Sequence, residues 1–84
     1  MDVLEAIRIE ETRNSLLERA LFNAKREICN KNPEYAELFT LLGEEIANVN
    51  EPTLKTLKDY NVIMCSLEYI TILAQTKRTK KWVK

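Results

Sequence analysis

The chain has 84 residues with thirteen basic and thirteen acidic side chains, one Gly, two Pro, two Cys and no His. That length allows one domain with a limited core, and the charge balance excludes a bulk field that would draw it to nucleic acid or a charged membrane. Without His the chain lacks the usual general base at neutral pH and the commonest metal ligand. A lone Gly leaves no phosphate-cradling loop and no dinucleotide fingerprint, and so few turn residues argue against an all-β fold.

The first helix is expected over about residues 2–30. Asp2-Val3-Leu4-Glu5 has the spacing of a capping box. An apolar stripe follows: Val3, Ala6 and Ile7, then Leu16, Leu17, Ala20, Leu21, Ala24 and Ile28. Glu10 and Arg13 interrupt it, three apart, and read as an exposed overhang. Thr12, Ser15, Arg19, Asn23 and Arg26 read as the solvated face, while Leu4 and Phe22 fall off the main stripe as possible partner contacts. No signal-peptide core follows Asp2 and Glu5. Cys29 and Cys65 read as reduced, packed thiols, which points to a reducing cytoplasm.

Asn30-Lys31-Asn32-Pro33 stops that helix and starts the next, with Asn32 as N-cap and Pro33 at the first helical position. The second helix, about 33–48, places Tyr35, Leu38, Phe39, Leu42 and Ile46 on one face. Gly43 inside it either admits a closely packed neighbour or weakens the helix by about 1 kcal/mol. The charges from Asn32 to Leu54 are all acidic: Glu34, Glu37, Glu44, Glu45 and Glu51.

The third helix is expected over about 53–77, after the breaker around Pro52. Strand-favouring runs at 62–65 and 69–73 compete with that reading, but a stretch this long without a breaker favours helix. It shows two apolar seams. Tyr60, Ile63, Leu67, Ile70 and Ala74 form one, and Val62, Cys65, Tyr69 and Ile72 form the other. Asn61, Glu68 and Gln75 draw a polar stripe, with Thr71 beside it. A surface helix needs one apolar stripe. Two seams call for two coverings, and the second is most simply met by another copy of the chain. With Glu68 in its middle, the apolar run from Tyr60 to Gln75 is too short to cross a bilayer.

The tail, 77–84, gathers Lys77, Arg78, Lys80, Lys81 and Lys84 around Trp82. Bases with an aromatic suit unpaired nucleic acid, though cations also suit a helix C-terminus.

Little chemistry is on offer. Two isolated Cys without His make no structural zinc site. The acidic residues lack the EExxE and ExxD spacing with which small all-helical nucleotide pyrophosphatases bind magnesium: Glu10-Glu11 is followed by Asn14. The segment around Ile46 and Leu54 fails as a helix-turn-helix, because Gly43 is misplaced and only Lys55 and Lys58 offer charge for phosphates. The sequence therefore predicts an all-α, three-helix antiparallel bundle completed by dimerisation. It reads as a non-enzymatic interaction protein without cofactor, metal or small-molecule substrate. Val62, Cys65, Tyr69 and Ile72 are the partner-binding residues, and a nucleic-acid regulator using the basic tail is the alternative.

Overall fold

In a computed structural model describing residues 2–82, with side chains through residue 77, the chain folds into three helices: α1 (Val3–Cys29), α2 (Pro33–Asn48) and α3 (Leu54–Trp82). Each start has a local cause. At α1, the Asp2 carboxylate accepts from the Glu5 N–H at 2.7 Å. At α2, Pro33 supplies a preset φ. At α3, the Thr53 hydroxyl accepts from the Thr56 N–H at 3.1 Å. The strand-prone runs at 62–65 and 69–73 are helical.

α1 ends in a Schellman turn. The Asn32 N–H bonds the Glu27 carbonyl at 2.8 Å and the Lys31 N–H bonds the Ile28 carbonyl at 3.0 Å. Lys31 occupies the left-handed position, with φ 62°. Asn32 stands at the N-cap of α2, but its side chain makes no capping bond there. It donates instead to the buried Glu27 carboxylate at 3.3 Å. Glu27 also takes a bond from Arg26 Nε at 3.1 Å. One carboxylate thus ties the end of α1 to the turn.

Consecutive helices run antiparallel, which leaves α1 and α3 parallel. The pairings Arg19–Asn61, Asn23–Glu68 and Arg26–Thr71 climb both helices together. The core is built mainly by α1 and α2: Ile9, Leu16, Ala20 and Ala24 pack with Phe39, Leu42 and Ile46. A Cβ placed on Gly43 would lie 3.2 Å from the Ala20 Cβ, so the glycine serves close approach of the two helices. Of the α2 stripe, Leu38 is exposed and Ala36 is buried in its place.

Among the described residues, α3 adds only Leu57 and Met64 as fully buried apolar side chains, with Tyr60 and Leu67 half-buried beside them. The inward line is therefore Leu57, Met64 and Thr71, seven apart, rotated about a quarter turn from the first seam read in sequence. In that seam Ile63 and Ile70 are exposed. Arg13 does not overhang into water. It is half-buried and donates to the Val49 carbonyl, bracing the second connection. Cys29 and Cys65 are free thiols, and both are exposed rather than packed.

The assembly measures 57 × 17 × 14 Å, with a radius of gyration of 15.2 Å. A compact domain of this length has about 12 Å. The difference follows from helix lengths: 29 residues make α3 roughly 44 Å long, while the 16 residues of α2 cover roughly 24 Å. The last turns of α3 extend past the point where α1 ends.

Candidate functional site

The α1–α3 contact is polar. Arg19 Nη1 donates to Asn61 Oδ1 at 2.6 Å and Arg19 Nη2 donates to Glu68 Oε1 at 2.7 Å. Asn23 Nδ2 donates to Glu68 Oε2 at 2.7 Å. Further along, Arg26 Nη2 donates to the Thr71 hydroxyl at 3.2 Å, and that hydroxyl donates back to the Glu68 carbonyl at 2.9 Å. The residues read as a solvated face on α1 and a polar stripe on α3 are thus one interface. Asn23 is 1% exposed and Thr71 is 3% exposed. Both are satisfied, as buried polar groups must be.

Two opposing influences act on Glu68. Desolvation pushes its pKa up, while the hydrogen bonds from Arg19 and Asn23 and the nearby positive charge push it down, and the net position is below the ordinary carboxylate value. Glu68 is therefore ionised at neutral pH, as its two donors require.

Because the polar stripe faces inward, the apolar residues of α3 face outward. Val62, Ile63, Tyr69, Ile70, Ile72 and Leu73 are between 44% and 59% exposed. Cys65, also exposed, lies at the edge nearer α1, where its Sγ is 3.6 Å from Arg19 Nη2. Scattered single apolar residues on a surface need no explanation. Six exposed on one helix within four turns are more than a scatter of single residues.

All four partner residues predicted from sequence, Val62, Cys65, Tyr69 and Ile72, are exposed on this face. The structure adds Ile63, Ile70 and Leu73. Sequence reasoning assigned Ile63 and Ile70 to the seam that the chain covers itself. The signal that places them outside is the complementarity of Arg19, Asn23 and Arg26 with Asn61, Glu68 and Thr71, which turns α3. On α1, Leu4 and Phe22 are exposed, as are Leu21 and Ile28.

Of the tail, Lys77 is exposed and the helix continues through Trp82. The side chains of Arg78, Lys80, Lys81 and Trp82, and the whole of Lys84, lie outside the described residues. Among the described residues, no three His, Cys, Asp or Glu side chains are placed to hold a metal ion, and no helix is long and apolar enough to cross a membrane. The groove between α1 and α3, floored by Leu16 and Leu57, is open and lined by Ser15, Lys58 and Asn61. Comparison with protein-family models, with curated proteins and with solved structures finds no match for this chain.

Proposed function

We propose that the chain is a small non-enzymatic interaction module of the cytoplasm, acting as an adaptor, regulator or inhibitor that occupies a protein surface through the outer face of α3. The observation that carries this reading is the outward apolar patch from Val62 to Leu73. A second copy of the chain is the first occupant, with the same patch serving both sides of a symmetric contact. The absence of His from the sequence supports a binding role over catalysis.

The test is solution mass by light scattering, with absorbance at nucleic-acid and protein wavelengths read on the same peak. The expected result is a dimer free of nucleic acid. A monomer would overturn the self-association reading. A peak carrying nucleic acid that salt strips away would make the basic tail the functional element, since phosphate contacts weaken steeply with salt.

A further inference from the structure

Along the outer side of α3 the sequence runs Asp59, Ile63, Ser66, Ile70, Leu73, Lys77, at spacings of four, three, four, three and four. That is the spacing of a coiled-coil seam. All six residues are exposed. The seam opens on an acid and closes on a base, with apolar and small side chains between. Neither Asp59 nor Lys77 is held in an ion pair among the described residues.

The seam is its own complement when reversed. Position 68 is its midpoint. Reversal about that level carries 59 onto 77, 63 onto 73, and 66 onto 70. A parallel pair would set acid on acid and base on base. An antiparallel pair sets Asp59 of each copy against Lys77 of the other, Ile63 against Leu73, and Ser66 against Ile70. The short Ser66 side chain leaves space for Ile70 of the opposing copy to seat over it, as one large and one small residue do in interdigitating helices. Val62 and Tyr69 border the seam and widen the contact.

Resting on the interaction reading above, we propose that the occupant of this face is a second copy of the chain, docked antiparallel about a two-fold axis at the level of residue 68. Asp59 and Lys77 close both ends. The Asp59–Lys77 contact occurs twice per dimer, as isologous symmetry requires. The ion pairs set orientation and register, and the apolar residues between them supply the affinity.

The test uses the full chain with Asp59→Lys and Lys77→Asp, studied singly, as an equimolar mixture and as the double variant, at low ionic strength. Each single change turns two attractive contacts into two repulsive ones. Each should weaken self-association roughly tenfold, the size expected for two exposed ion pairs reversed. The mixture should recover it as a heterodimer, because one copy then carries bases at both positions and the other acids at both. The double variant should recover it as a homodimer. Unchanged circular dichroism guards against misfolding. Single variants that dimerise like the parent, or a mixture that fails to recover, overturn the antiparallel register while leaving the interaction face standing. A parent chain that is monomeric overturns self-association and the register with it.

Discussion

Arg19 on α1 and Glu68 on α3 meet at 2.7 Å, and the same carboxylate is held by Asn23 from the next turn of α1. A polar clamp at this level fixes the rotation and height of α3 against its neighbours, where apolar side chains alone would tolerate slippage. Glu68→Ala leaves the buried Asn23 amide without its oxygen acceptor and should lower stability by about 1–3 kcal/mol. Glu68→Gln keeps an acceptor and should cost less. Urea unfolding of both variants, at one fixed protein concentration, measures the difference.

The same carboxylate gives stability a pH dependence. Its pKa in the folded chain lies below the ordinary value, so the unfolded state binds a proton first as pH falls. The stabilisation is therefore complete above the unfolded carboxylate range, near 4.3. It is lost as pH drops through that range to the lower folded value. The melting temperature should decline over this window, and Glu68→Gln should flatten part of the decline. Thermal melts of the two proteins from neutral to acid pH check the sign.

Lys31 sits at φ 62° at the left-handed position of the α1 Schellman turn. A side chain there costs roughly 1–2 kcal/mol, and glycine would remove most of that while adding chain entropy to the unfolded state. Lys31→Gly should raise stability by about 0.5–1 kcal/mol, measured as a shift of the urea midpoint without a change of slope.

Ala20 faces Gly43, where a Cβ on the glycine would lie 3.2 Å from the Ala20 Cβ. Ala20→Leu pushes added carbons against the Gly43 backbone and should destabilise by about 1–3 kcal/mol through forced separation of the helices. Phe39, which is fully buried, should lose about 3–5 kcal/mol on truncation to Ala. The pair of variants separates overpacking from cavity formation, and both are read from the same unfolding curves.

The helical pattern was legible because Asp2, Pro33 and the Pro52 region mark starts and α2 carries one apolar face, whereas Val3, Ile7, Leu21 and Ile28 of the α1 stripe are exposed. The close approach at Gly43 was visible as one of two options. The orientation of α3 was less legible. Its apolar residues surround it, so periodicity does not choose a face, and the choice falls to Asn61, Glu68 and Thr71 meeting Arg19, Asn23 and Arg26. Reading each polar stripe against water, one helix at a time, hides that pairing. The four predicted partner residues lie on the exposed side, whereas Ile63 and Ile70 belong to the seam that the spacing alone turns inward. Arg13 was placed in water because its acceptor is a backbone carbonyl, which side-chain patterns do not reveal.

On the function proposed above, the outer face of α3 binds another protein surface, first of all its own. The most direct measurement is sedimentation equilibrium of the parent chain beside Ile70→Asp, a change at an exposed position that leaves the core untouched. A dimeric parent and a monomeric variant of the same helicity are expected. A variant with the same mass as the parent would contradict that proposal.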